Sequence, residues 1–100
     1  MPSTESVAVR FGENLRRCRR RAGISQERLA VAAAVHRTEI GLLENGRRVA
    51  RADTFVKLAC CLEIPADELL DGIACVPGTE APGSFALTSR VERGTTRWRS

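Results

Sequence analysis

Between Ser25 and Glu44 the chain carries two short amphipathic segments, residues 25–33 and 36–44, with only Ala34 and Val35 between them. Neither is long enough to hold as a helix alone in water, because helix nucleation costs more than so few turns return. Each also buries too little surface by itself. The pair therefore has to be packed on longer helices elsewhere in the chain, and the rest of the sequence supplies them.

Residues 1–5 read as a short polar lead. Val7, Ala8, Phe11, Leu15, Cys18 and Ala22 then recur at helical spacing and define the inner face of a first helix, which Gly23 ends. Arg16, Arg17 and Arg20 are expected to point away from that stripe, with Arg19 on its flank. Ser25 is a natural N-cap for the second helix. Glu27 suits the positive end of that helix, and Leu29 and Ala30 face inward. A capping box is missing, because Arg28 stands where Glu or Gln would complete it. The third helix closes at Asn45-Gly46. A fourth spans residues 52–62, with Phe55, Leu58, Ala59 and Leu62 inward. Pro65 opens a short fifth helix through Leu69 and Leu70, which Gly72 stops.

Beyond Cys75 the composition changes. "VPGTEAPGS" is a linker by content. "FALTSRVERGTTRWRS" reads either as a strand over residues 85–91 or as a mobile basic tail in which Trp98 lies between two arginines. A length of 100 residues favours one small domain. We place it at residues 6–73, with residues 74–100 as a linker and a basic segment, disordered or a dimerisation arm.

Charge is distributed unevenly. Residues 1–51 hold eleven Arg against five Glu, whereas residues 52–71 set Lys57 against Asp53, Glu63, Asp67, Glu68 and Asp71. The net charge of +4 suggests an anionic partner. Cys18, Cys60, Cys61 and Cys75 form no C-x-x-C pair and His36 is the only histidine, so no metal site is expected and buried reduced thiols are the simpler reading. No catalytic set, phosphate loop or cofactor motif is visible, and the chain is not expected to be an enzyme or to need a cofactor. It has neither the apolar run of a signal peptide nor a membrane-spanning stretch. The expected location is the cytoplasm, on the nucleoid, with no membrane partner.

If Ile40 and Leu43 face inward, a helical wheel turns Thr38, Gly41, Leu42 and Asn45 outward and puts Arg37 on the flank. Two short helices joined by a tight turn form a helix-turn-helix, whose second member can enter the DNA major groove. With "GISQERLA", "VHRTEIGLLENGRR" and "LACCLEIPADELL" in this order, residues 11–72 resemble the Cro/CI-type (XRE-like) helix-turn-helix family. The resemblance implies an all-α, compact five-helix bundle of the lambda-repressor type. It implies a bacterial or phage regulator that binds double-stranded DNA, with a palindromic operator, a homodimer and repression as the expected mode. Position by position, it implies that Gln26 holds a phosphate beside the second helix. It places His36, Arg37, Thr38, Gly41 and Leu42 on the reading side, and Asn45, Arg47 and Arg48 on the backbone just after it. It further implies an interhelical ion pair between Arg19 and Glu44.

Several positions depart from the family pattern. Ala34 replaces the usual turn Gly, His36 the usual small polar cap, and Ala50-Arg51 the usual Pro-Ser before helix four. Val56 and Cys60, spaced i, i+4 away from the inner face of helix four, are candidate dimer contacts. The weakly polar pair Gly41-Leu42 leaves a second reading open: a protein-interaction module or antitoxin on the same fold, with a protein partner and DNA binding secondary.

Overall fold

The computed structural model describes the backbone of residues 4–77 and 85–88 and the side chains of residues 7–74. Four α-helices, α1 (Thr4–Arg21), α2 (Gln26–Ala33), α3 (Arg37–Glu44) and α4 (Ala52–Leu62), precede a 3-10 helix over Ala66–Leu70. Strands β1 (Ala74–Pro77) and β2 (Phe85–Thr88) follow. The bundle thus has four α-helices and a 3-10 helix, not five α-helices. Pro65 and two carboxylates crowd the start of that last element, and Leu69 is its one buried residue. A single tight turn is enough to bring Leu69 into the core.

The C-terminal segment also departs from an all-α expectation. β1 and β2 pair antiparallel, with Ala74 opposite Thr88 and Pro77 opposite Phe85, and β2 lies against α1. Of the two readings of this segment, strand holds for residues 85–88; Trp98 and everything after Thr88 lie outside the described residues. At the other end, α1 reaches back to Thr4, into what reads as a polar lead. No helix among the described residues is long and apolar enough to cross a membrane.

The core is made by one face of each helix: Phe11, Leu15 and Cys18 of α1, Leu29, Ala30 and Ala33 of α2, Ile40 and Leu43 of α3, and Leu58, Ala59 and Leu62 of α4, with Leu69 beneath. Phe11 and Phe55 meet edge to face, ring centroids 5.8 Å apart. Such an aromatic contact adds about 1 kcal/mol beyond the area it buries. Ala22, expected inward, is exposed, because α1 ends one residue before it. Asn14 is fully buried on the apolar side of α1. Its Nδ2 donates to the carbonyls of Leu69 (3.0 Å) and Asp71 (2.9 Å), tying α1 to the end of the 3-10 helix.

Helix α1 and the end of α3 touch backbone to backbone. A Cβ built on Gly12 would lie 2.3 Å from the Leu43 carbonyl oxygen and 2.7 Å from that of Glu44. Only glycine permits this approach. The turn between α2 and α3 is closed by Ala34 in the left-handed region (φ 57°, ψ 43°), with its N–H on the carbonyls of Ala30 and Val31. An alanine there carries a cost of about 1 kcal/mol that glycine would not.

Candidate nucleic-acid interface

Helix α2 starts at a working N-cap: Ser25 Oγ accepts from the Arg28 N–H at 3.1 Å. Helix α3 starts less securely. His36 is its N-cap residue but makes no side-chain capping bond. Arg51, in the place of the missing Ser before α4, likewise makes none. The geometry of the helix pair is held instead by a buried carboxylate at the end of α3.

Glu44 has a side chain with no exposure, and it accepts from three residues on two other elements. Arg19 bridges it with both Nε and Nη2, the latter at 3.1 Å from Oε1. Arg16 Nε reaches Oε1 at 3.3 Å, and Gln26 Nε2 reaches the same oxygen at 3.0 Å. Burial by itself would push the Glu44 carboxyl up. The hydrogen bonds from Arg19, Gln26 and Arg16 outweigh it and hold the group below its ordinary value. Arg19 moves the opposite way, raised first by its hydrogen bond to Glu44. Its Nη1 also donates to the Ile24 carbonyl at 2.9 Å. One carboxylate therefore joins α1, the first turn of α2 and the last turn of α3.

Arg16 belongs to this cluster although the helical pattern points it to solvent. Besides Glu44, it donates through Nη2 to Asn45 Oδ1 at 2.8 Å. Arg16 lies three residues before Arg19, so the two share a side of α1, and its long stem carries the guanidinium over the rim of the core. Asn14 is the other residue that sequence reasoning passed over. Its signal was its position, i+3 from Phe11 and i−4 from Cys18, on the buried stripe.

On the outer side of the pair, His36, Arg37 and Thr38 are exposed at the start of α3, Leu42 is half-buried, and among the described residues nothing outside its own helix backbone and chain neighbours lies within 4 Å of where a Cβ on Gly41 would stand. Asn45, Arg47 and Arg48 follow directly after α3 and are exposed. Asn45 already accepts from Arg16, and Arg48 Nη1 pairs with Glu39 Oε1 at 2.7 Å. The loop is set by Gly46 (φ 72°), whose missing Cβ would stand 2.9 Å from Val9, and by the Arg47 N–H on the Leu42 carbonyl at 2.9 Å. Gln26 sits half-buried with its amide on Glu44. Gln26, the α3 residues and residues 45–48 thus lie on or beside one helix pair. Val56 and Cys60 lie apart from them on α4, both exposed.

Comparison with known proteins agrees with this geometry. A helix-turn-helix domain model matches residues 10–71. Control protein C.BamHI of Bacillus amyloliquefaciens is 33% identical over 69 residues, covering 68% of this chain and 85% of that protein. The SPbeta prophage-derived, uncharacterized HTH-type transcriptional regulator YonR of Bacillus subtilis is 37% identical over 62 residues, covering 62% of this chain and 57% of its own length. Among solved structures, the restriction-modification controller protein C.AhdI from Aeromonas hydrophila superposes with a TM-score of 0.61 at 39% identity, over 62% of this chain and 94% of that one. The hypothetical transcription factor NHTF from Neisseria gives 0.62 at 28% identity, over 70% and 80%. With the fold, the buried carboxylate cluster and these relatives in agreement, the chain belongs to the XRE-like helix-turn-helix family of DNA-binding transcriptional regulators.

Proposed function

We propose that the protein acts on the nucleoid as a homodimeric repressor that lays α3 into the major groove of a two-fold operator. The observation that carries this reading is how the arginines are distributed between internal partners and solvent. Among the described residues, Arg10, Arg16, Arg17, Arg19, Arg21, Arg48 and Arg51 each face a carboxylate. Arg20, Arg28, Arg37 and Arg47 have no carboxylate partner among the described residues, and all of these except Arg20 lie on the helix pair or directly after it. Arg37 and Arg47 bracket α3 at its two ends. Unneutralised guanidiniums in that position suit phosphates, and Arg37 also suits the O6/N7 edge of a guanine. The exposed Arg48–Glu39 pair contributes little to the fold and can yield to a phosphate. Gln26 gives one amide hydrogen to Glu44 and keeps a second for a backbone oxygen.

In this scheme arginines supply affinity and the outward side of α3 supplies choice. A two-fold dimer sets two copies of α3 about 34 Å apart, one duplex turn. The candidate dimer contacts are Val56 and Cys60. The regulatory role is supported by relatives that are a control protein, a controller protein and an HTH-type regulator. The test is the salt dependence of duplex binding. If about six phosphates are neutralised per bound unit, the slope of log K on log salt is on the order of −5, and Arg47→Ala makes it shallower by about 1. A slope near zero, or one that Arg47→Ala leaves unchanged, contradicts the phosphate grip.

A further inference from the structure

Nothing among the described residues requires a glycine at position 41. It lies inside α3, where glycine is the weakest helix former short of proline. It is not at a positive-φ position, unlike Gly23, Gly46 and Gly72. It also differs from Gly12, whose missing Cβ makes room for another helix, because among the described residues no atom beyond its chain neighbours and its own helix backbone lies within 4 Å of a Cβ built on Gly41. The fold would accept a side chain there and gain helix stability from it.

What the glycine leaves is a notch in the outward side of α3. Arg37 and Asn45 lie one turn to either side of it at i−4 and i+4, with Thr38 at i−3 and Leu42 beside it. The notch offers no donor. In an α-helix the Gly41 N–H is directed along the axis to the preceding turn. The floor of the notch gives a phosphate nothing to hold it, since the polar groups of Arg37, Thr38 and Asn45 stand at its rim. The occupant that fits is small, apolar and projecting. In the major groove that description matches the 5-methyl group of thymine and no other base substituent. Resting on the DNA-binding reading above, we propose that Gly41 is a specificity-determining residue that admits a thymine methyl against the backbone of α3, with Leu42 forming the apolar side of the notch.

The test pairs a methyl added to the protein with a methyl removed from the DNA. Duplexes enriched by the wild-type protein from a randomised pool are made with thymine or with uracil at each enriched thymine position. They are titrated with wild type and with Gly41→Ala, and the melting temperature of both proteins is measured. The variant is expected to melt about 4 °C higher. It should bind the thymine duplex about tenfold more weakly than wild type does, and at one position it should recover that loss on the uracil duplex, where the alanine methyl takes the space the thymine methyl vacates. Equal effects of Gly41→Ala on thymine and uracil duplexes would overturn the proposal, as would undiminished binding of the thymine duplex. Failure of the DNA-binding reading itself is distinct, because the wild-type protein would then enrich no duplex and bind the unselected pool without salt dependence; the proposal would fall with it.

Discussion

Glu44 shows how much of the interface rests on a residue that need never touch DNA. It is buried and ionised, and it is satisfied by Arg19, Arg16 and Gln26 together. Its folded-state carboxyl is held below the ordinary value of 4.5. The stability it contributes is therefore complete above that pH and is lost as pH falls through the lower, folded-state value. Thermal melts of the wild type are expected to lose stability in that acid range. Glu44→Gln should remove this component of the pH dependence. At neutral pH it should cost about 3 kcal/mol, because Arg19 stays largely buried with its charge unanswered. A Glu44→Gln protein with wild-type stability and an unchanged acid limb would show that the cluster is incidental. The arrangement of partners also explains why only part of it was readable. Arg19 and Glu44 suggested each other through the family pattern. Arg16 did not, because its contact depends on how far a guanidinium extends between elements, and residue spacing on one helix does not carry that.

At the scale of elements, the best-read parts were those whose apolar residues fix a wheel. Ile40 and Leu43 orient α3, and both are fully buried. Phe55, Leu58, Ala59 and Leu62 gave α4 over residues 52–62, the bounds the structure has. Over a single turn the same signal is ambiguous. Leu69 is inward in an α-helix and in a 3-10 helix alike, so residue spacing does not distinguish the two for the last helical element. The hairpin was less legible still, because four-residue strands become strands only by pairing, and β1 and β2 are separated by a Gly- and Pro-rich stretch that reads as a linker. The crossing of α1 and α3 was not visible either, since Gly12 looks like an ordinary weak point in a helix until its neighbours are known. Gly12→Ala is expected to force the two helices apart and destabilise the fold by about 2–3 kcal/mol, against the small gain that alanine brings inside an open helix. Denaturant unfolding decides this, and a stabilised Gly12→Ala protein would disprove the close packing.

At the scale of the whole molecule, the charge is divided along the chain, with residues 1–51 net basic and the stretch from α4 through the 3-10 helix net acidic. On the function proposed above, the helix pair faces DNA, and α4 offers Val56, 59% exposed, and Cys60 as the candidate contact for a second copy of the chain. Val56→Glu is expected to convert a dimer to a monomer in sedimentation, and an unchanged mass would rule out that face as the dimer contact. On the function proposed above, the outward side of α3 reads duplex DNA from a platform fixed by Glu44. Selection of bound duplexes from a random pool at about 0.15 M salt tests it most directly. The expected result is an enriched two-fold motif with half-sites about one duplex turn apart. Salt-sensitive binding with no enriched sequence would contradict it, leaving arginines that grip DNA and a helix that reads nothing.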